Sequence, residues 1–244
     1  MRLIISTCDK YINVLEAVKY TMDKFEVTNF DVTVLGFKPP NFDMGTWEFV
    51  SLGEDKGVRN FSNDITPFFN TFDDEYFILT TDDYVMTSRF NHEFFREITE
   101  FIKEVPNFGR MFLMNVKRDF YGNGNGGLYG SSSVIKSFGD YHIAELNQLS
   151  QYRLSLQHSI WKTSYFKKYL TPNLSPWDWE RRDSAKHDGA AILLPIDNYV
   201  ISAGHVMIKG NVSSNWHESI FGEATLDEGD IKIINDIFKK HGMM

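Results

Sequence analysis

Cysteine is nearly absent from this chain. Cys8 is the only one in 244 residues, and a lone thiol cannot close an internal disulfide or build a zinc-type cysteine cluster, so a secreted disulfide scaffold is excluded. Long apolar runs are missing too: nothing approaches the ~18 residues of a membrane-spanning helix. The opening Met1-Arg2-Leu3-Ile4-Ile5-Ser6 turns polar too early for a signal peptide. The expectation is a soluble, cytoplasmic protein with no transmembrane segment. Basic charge is in deficit, with 25 Lys and Arg against 33 Asp and Glu and a net charge of −8, which disfavours broad binding to a phosphate backbone. There is no Gly-Lys-Ser/Thr P-loop, no His-Glu-x-x-His and no Gly-x-Ser-x-Gly elbow, so ATPase, zinc-hydrolase and serine-hydrolase chemistry lose their usual support. Gly122, Gly124, Gly126 and Gly127 do not join a strand to a helix as a dinucleotide loop must, and that stretch is expected to be a mobile loop.

What is present is the composition of an ordinary globular protein, 42% hydrophobic and 24% charged. A chain of this length can bury roughly 70–75% of its unfolded surface. The 21 Phe, 11 Tyr and 5 Trp supply a core, with aromatics to spare for a ligand site.

Strand-like and helix-like segments alternate. Leu3 to Ser6 reads as a strand, and Tyr11, Val14, Leu15, Val18, Met22 and Phe25 recur at helical spacing. Asp31 to Gly36 and Trp47 to Leu52 read as strands, Ile65 to Phe72 as a short helix, and Glu75 to Thr81 as a buried strand running into Asp82-Asp83. Phe90, Phe94, Phe95, Ile98, Phe101, Ile102 and Val105 predict an amphipathic helix stopped by Pro106, with the sheet resuming over Arg110 to Val116. The second half is less regular. Strands are expected at Leu154 to Ile160, Ala190 to Ile196 and Asn198 to Ile208, and helices over Lys162 to Leu170 and from Ser175. Thr225 and Glu228 match a capping box ahead of a last helix ending near His241, whose pattern suits either covering the sheet or pairing with another subunit. The fold class is therefore α/β: a mostly parallel, Rossmann-like central sheet flanked by helices, as one domain over 1–244 with an N-terminal half (1–118) and a less regular C-terminal half (119–244).

The acidic pair Asp82-Asp83 is the most informative feature, because ligands of open α/β sheets bind beyond the carboxyl ends of strands. Two carboxylates there suit Mg²⁺ or Mn²⁺, which take one or two protein carboxylates and complete their shell with water and phosphate oxygens. An acidic dipeptide after a strand serves equally well as a turn or a helix cap.

The chain start, Ser51-Leu52-Gly53-Glu54-Asp55, Thr81-Asp82-Asp83-Tyr84, Ser155-Leu156-Gln157-His158-Ser159-Ile160-Trp161-Lys162 and Ser175-Pro176-Trp177-Asp178-Trp179-Glu180 together resemble a family of bacterial and viral glycosyltransferases of the GT-A fold. The resemblance runs roughly from Leu3 to Gly210, and its most specific part is the last two motifs. It implies a nucleotide-sugar donor, a UDP-sugar first, held by the N-terminal half and a hydroxyl acceptor met by the C-terminal half. Ser6, Thr7 and Asp9 would contact the nucleoside, with Asp55 on the same side; Asp9 is equally an N-cap for the following helix. Asp83 would face the metal, while Asp82 joins it or reaches the ribose. His205 is a candidate late metal ligand and Lys209 a candidate diphosphate contact; Arg89, Lys162 or Lys209 would take over in a metal-free variant. Asp178 first, and Glu180 second, would be the general base that takes the acceptor proton, unless they only open a helix. Trp177 or Trp179 would stack on a sugar or anchor the helix, and Gln157, Ser159 and Trp161 would position hydroxyls. Such a base favours direct displacement with inversion, while retention stays open.

Two acceptors fit this reading. One is a surface glycan; the other, for a phage-encoded enzyme working in the host cytoplasm, is hydroxylated bases in DNA, toward which Lys162, Lys167, Lys168, Arg181 and Arg182 supply positive charge. A sugar-nucleotide nucleotidyltransferase is the rival enzyme class, disfavoured by the lack of glycines in Ser6-Thr7-Cys8-Asp9-Lys10. A non-catalytic carbohydrate-binding protein is the third reading.

Overall fold

The computed structural model describes residues 1–27, 29–114, 132–196, 198–208, 210–213, 215–218 and 220–244. The glycine-bearing stretch 121–127 and Lys209 lie outside them. The fold is α/β, with a mostly parallel central sheet flanked by helices, as the alternation predicts. The chain forms two compact units that interleave along the sequence. A terminal unit comprises residues 2–55, 80–90 and 201–244; a central unit comprises 56–79 and 91–200, together with Met1. No described helix is long and apolar enough to cross a membrane.

In the terminal unit, β1 (Arg2–Ser6), β2 (Val32–Gly36) and β3 (Glu48–Ser51) pair in parallel, with Leu3 opposite Val32 and Thr33 opposite Glu48. Residues Val32 to Gly36 are buried throughout, as expected of a strand covered on both faces. The helix α1 (Leu15–Lys24) buries Leu15, Ala17, Val18 and Met22.

Strand β4 (Tyr76–Thr81) carries the chain from one unit into the other, and β5 (Tyr84–Met86) follows at once. In the central unit, α2 (Phe61–Thr71) buries Ile65 and Phe69. The helix α3 (His92–Glu104) buries Phe94, Ile98 and Ile102, one turn apart, and starts where the Asn91 side chain accepts a hydrogen bond from the Phe94 N–H at 3.0 Å. The strands here are β4, β6 (Phe108–Phe112), β7 (Ser132–Phe138), β8 (Tyr141–Leu146), β9 (Ser159–Lys162) and β10 (Ala191–Ile196), in the order β4-β9-β6-β10-β8-β7. Strand β9 is antiparallel to β4 and β6, whereas β6 and β10 are parallel. The β7–β8 hairpin had no counterpart among the expected elements. Two short helices, α4 (Thr163–Lys168) and α5 (Pro176–Glu180), complete this unit.

The terminal unit ends with β11 (Ala203–His205), the small hairpin β12 (Met207–Ile208) and β13 (Asn211–Val212), then β14 (Ile220–Phe221) and α6 (Glu228–Lys240). Strand β11 lies between β5 and β14, antiparallel to both.

Three sequence expectations are corrected. Residues 154–158 are not a strand. Their N–H groups go elsewhere, Ser155 to the Tyr152 carbonyl at 3.0 Å, Leu156 to Glu180 Oε1 at 2.6 Å and Gln157 to Ser155 Oγ at 3.3 Å, after a turn in which Tyr152 adopts φ +56°. The span 198–208 yields only β11 and the start of a hairpin. The capping box of α6 is Asp227 with Asp230: Asp227 Oδ1 accepts from the Asp230 N–H at 2.9 Å, and Asp230 Oδ2 accepts from the Asp227 N–H at 3.0 Å. Thr225 instead donates its N–H to the Thr87 carbonyl.

Within the terminal unit, α6 packs on α1. Asp230 takes hydrogen bonds from Tyr20 Oη at 2.7 Å and Lys24 Nζ at 2.8 Å, while Glu16 meets Lys240 and His241 at the other end. Ile234 and Phe238 are buried on the face between these anchors.

The central unit holds a buried ion pair. Asp188 and Arg153 are at most 4% exposed and lie 3.2 Å apart, and Tyr169 Oη and the Ala190 N–H also donate to Asp188. Burial alone would raise the Asp188 carboxyl, but these hydrogen bonds and the Arg153 charge hold it below the ordinary 3.8. The folded state therefore binds fewer protons than the unfolded one: this stabilisation is complete above the ordinary aspartate value and is lost as pH falls through the lower folded value. Asp188→Ala is expected to cost about 3–5 kcal/mol, because it strands a buried guanidinium. Urea unfolding at neutral pH checks this, and a cost under about 1 kcal/mol would mean that the pair is not the anchor described.

Candidate functional site

Within the terminal unit, four segments meet beyond the end of β1: the loop Thr7–Tyr11, the turn Thr81–Tyr84, the end of β11 at His205, and the hairpin turn at Gly210. The apolar runs of β1, β2 and the start of β5 leave only their polar ends to gather here. The adjacent aspartates, both in the turn between β4 and β5, go to different partners.

Asp82 is 6% exposed, and its Oδ2 accepts from Thr7 Oγ1. The Cys8 N–H also donates to it. Burial, reinforced by the neighbouring Asp83 charge, pushes the Asp82 carboxyl up to about 7, and the Thr7 and Cys8 hydrogen bonds hold it back from rising further. Cys8 itself is pushed up to about 11 by burial and then by the Asp82 charge, with Asp55 adding a smaller push. It stays a thiol at neutral pH, which removes it as a nucleophile.

Asp83 faces the other way. Its Oδ1 accepts from Thr81 Oγ1, and its Oδ2 lies 3.0 Å from His205 Nε2. The Val206 N–H donates to the Asp83 carbonyl at 2.8 Å, tying the end of β11 to this turn. Asp83 and His205 each keep roughly a third of their side chain exposed, 29% and 30%, so the pair opens to solvent while Asp82 does not. The Tyr84 ring stacks on the His205 imidazole, with centroids 4.7 Å apart and planes 16° from parallel.

Gly210 closes the arrangement. Its φ of +86° suits glycine, and an added Cβ would lie 2.6 Å from Lys10 Nζ and 3.0 Å from Tyr11 Oη. The β12–β13 turn therefore lies against the loop after β1.

The other candidates fall as follows. Ser6 ends β1, half-buried, opposite Leu35. Asp9 does not cap α1. Its carboxylate accepts from the Lys38 N–H at 3.1 Å and pairs with Lys38 Nζ at 3.0 Å, binding the loop after β2. Asp55 is exposed, and Arg89 pairs with Glu26 at 3.0 Å.

Asp178 and Glu180 belong to the central unit. Asp178 Oδ2 accepts from Ser175 Oγ at 2.6 Å and from the Ser175 N–H at 3.3 Å, forming the capping box of α5. Those bonds, first the hydroxyl's and then the amide's, hold its carboxyl below the ordinary aspartate range. Glu180 Oε1 accepts from the Leu156 N–H at 2.6 Å.

The tryptophans divide. Trp179 is fully buried, donates Nε1 to the Tyr169 carbonyl at 3.1 Å and packs on Trp161 and Phe166, so it anchors the helix instead of stacking on a sugar. Trp177 is 57% exposed. Ser159 and Trp161 are fully buried, and the Ser159 hydroxyl is used by Arg110 Nε at 2.9 Å, which removes both from any role in positioning substrate hydroxyls.

Sequence reasoning missed Thr81, Tyr84, Lys10 and Tyr11. Thr81 and Tyr84 flank the aspartates in sequence, which is a usable signal. The closeness of Lys10 to Gly210 is not visible without the fold.

A divalent cation is the group such a site invites. Among the described residues, no cluster of three or more His, Cys, Asp or Glu side chains forms a closed metal site. Asp83 and His205 provide one carboxylate and one imidazole side by side and open to solvent. That set fits a cation only together with an anionic ligand that completes the shell.

No protein-family model matches the chain, and no curated protein matches it. Solved structures do. A UDP-glucose pyrophosphorylase complexed with UDP-glucose aligns at a TM-score of 0.50 and 10% identity, covering 98% of this chain and 99% of that one. A putative glucose-1-phosphate thymidylyltransferase from Bacillus anthracis aligns at 0.47 and 10% identity, covering 97% and 94%. S. aureus TarS, residues 1–349, aligns at 0.46 and 15% identity over 82% of this chain, which spans 59% of that one. At these identities the likeness to the pyrophosphorylase is one of fold.

The buried Asp82 makes a pH prediction. Its folded value near 7 lies above the ordinary 3.8, so between these the folded state holds the extra proton and stability falls as pH rises. Asp82→Asn removes that penalty while keeping an acceptor for Thr7. In EDTA, its gain in Tm over wild type is expected to be larger at about pH 8 than at about pH 5. Equal gains at both would contradict the burial argument.

Proposed function

We propose that the protein is a nucleotide-sugar-dependent glycosyltransferase whose donor diphosphate is held in the terminal unit by the Asp83–His205 pair. The observation that carries this reading is the 3.0 Å approach of His205 to Asp83 across 122 positions of sequence, just after the buried strand β4. The pair joins β11 to this turn and keeps about a third of each side chain open to solvent, where a cation can reach it. The pyrophosphorylase of like fold is complexed with UDP-glucose, which supports a UDP-sugar as the first donor to try.

Asp83 and His205 would hold Mn²⁺ or Mg²⁺, which when bound neutralises charge developing on a diphosphate leaving group. The remaining roles belong to the chain itself. Thr7 and the Cys8 amide hold Asp82, Asp82 fixes the end of β1 against the turn, and Lys10 brings an exposed ammonium beside the hairpin turn, suited to phosphate oxygens. Ser6, Asp9, Asp55 and Lys209 keep their places as nucleoside or diphosphate contacts on the motif resemblance alone. In transfer, the acceptor hydroxyl oxygen bonds to the anomeric carbon as the bond from that carbon to the diphosphate breaks. The electron pair leaves with the diphosphate and the hydroxyl proton goes to a carboxylate, for which the resemblance puts Asp178 first and Glu180 second. Attack on the face opposite the leaving group inverts the anomeric centre. The acceptor is a glycan, with hydroxylated DNA bases as the second candidate; the acidic net charge favours the glycan.

The rival reading, a sugar-nucleotide nucleotidyltransferase, draws on a fold match that covers 99% of the pyrophosphorylase. Against it stands the Ser6–Tyr11 loop, which carries no glycine for close approach to a triphosphate.

A panel of UDP-sugars with Mn²⁺ or Mg²⁺ separates these readings. The expected result is cation-dependent stabilisation by one sugar and slow release of UDP, with turnover lowered at least about 100-fold in Asp83→Ala and in His205→Ala. Release of pyrophosphate from a nucleoside triphosphate and a sugar 1-phosphate would instead establish the rival, and no binding of any nucleotide would leave a carbohydrate-binding protein.

Asp178→Asn probes the base. Asparagine keeps an oxygen to accept from Ser175 but loses the carboxylate's charge at the helix start, so a small fall in melting temperature is expected, while kcat falls about 10²- to 10⁴-fold if Asp178 takes the proton. An unchanged kcat moves the role to Glu180.

A further inference from the structure

We propose that Tyr84 is the positioning residue of the Asp83–His205 pair, setting the imidazole so that Nε2 is presented beside the Asp83 carboxylate. The inference rests on the reading that this pair receives a cation.

The geometry is built by strand register. Strands β5 and β11 are antiparallel, and Tyr84 lies directly opposite His205 in the ladder, so the two side chains share a face of the sheet at closest cross-strand range. The phenol ring is 6% exposed and is braced at its edge by Phe221 of β14, with centroids 6.2 Å apart. It cannot swing aside to follow the imidazole. His205, by contrast, is only partly buried, and a half-exposed histidine normally samples a broad range of ring orientations. Stacking at 4.7 Å and 16° restricts it to the two flips that keep the rings near parallel, and in the observed one Nε2 lies 3.0 Å from Asp83 Oδ2. The acid is fixed from its own side, because Thr81 holds Oδ1 and the Val206 N–H holds the carbonyl. Both halves of the pair are thus oriented before any ligand arrives, as a preorganised site requires.

The position is specific to an aromatic ring. A leucine would fill similar volume but offers no flat face, and a phenylalanine keeps the face and loses only the hydroxyl. Tyr84→Phe and Tyr84→Leu therefore separate stacking from hydroxyl chemistry.

Mn²⁺ binding to the protein in the presence of UDP, which supplies the anionic ligand, followed by electron paramagnetic resonance, is the test, with His205→Gln as reference. Wild type and Tyr84→Phe should bind alike within about twofold, and Tyr84→Leu about three- to tenfold more weakly, the range that an aromatic pair contributes. In the metal-free protein, the His205 ring-proton resonances should lie upfield under the phenol and return toward ordinary positions in Tyr84→Leu. Tyr84→Leu binding Mn²⁺ as well as wild type does, or Tyr84→Phe binding it as weakly as His205→Gln, overturns the role of Tyr84 while leaving the cation reading intact. Wild-type His205 resonances at ordinary positions overturn it without recourse to any variant, which covers the case in which Tyr84→Leu does not fold. Absence of Mn²⁺ binding by wild type brings down the cation reading and the Tyr84 assignment together.

Discussion

A carboxylate taken out of water needs donors, and Asp82 obtains its own from the end of the first strand. Burying an unpaired carboxylate costs several kcal/mol even after relaxation, so the Thr7 hydroxyl and the Cys8 amide are constrained to sit where they do. That requirement places the β1 loop against the β4–β5 turn. From the same turn Asp83 faces outward, where β11 delivers His205. The hairpin beyond His205 then folds back until Gly210 meets Lys10 and Tyr11. Each piece of the candidate donor site is thus located by the preceding one, beginning with a single buried acid.

The central unit uses the same device with the opposite charge. Arg153 is buried, and its guanidinium spans four backbone carbonyls and Asp188. An arginine is suited to this because it presents five donors in a rigid fork. The segment around it has no regular secondary structure and yet is closely held. Residues 154–158 resemble a strand because most of their side chains are indeed inside, but their N–H groups go to the Tyr152 carbonyl, the Glu180 carboxylate and the Ser155 hydroxyl instead of a ladder. The motif Trp177-Asp178-Trp179-Glu180 divides in a similar way. Trp179 goes into the core, Asp178 closes the helix cap, Glu180 holds the Leu156 amide, and Trp177 remains on the surface.

The alternation of apolar runs with helical periodicity carried the fold class and most elements of the first 112 residues, because a fully buried strand and an amphipathic helix each impose their own period on the sequence. Asp82-Asp83 at the end of the most apolar strand was legible for the same reason: a strand that must be buried announces where it stops. The ends of short elements were less legible. The capping box of α6 slid from Thr225 to Asp227 because both positions satisfy the local pattern and only the docking of Asp230 against Tyr20 and Lys24 selects one.

By itself the sequence determined which residues can be buried, most of the strands and helices of the first half of the chain, and the presence of acids at a strand end, since these follow from local composition and period. Only the tertiary structure decided that Asp82 and Asp83 have different partners, that His205 comes to the second of them, and that Tyr84 lies under the imidazole. Those are contacts between residues far apart in the chain, fixed by strand register and by the cost of leaving buried charge unpaired, and no local pattern encodes them.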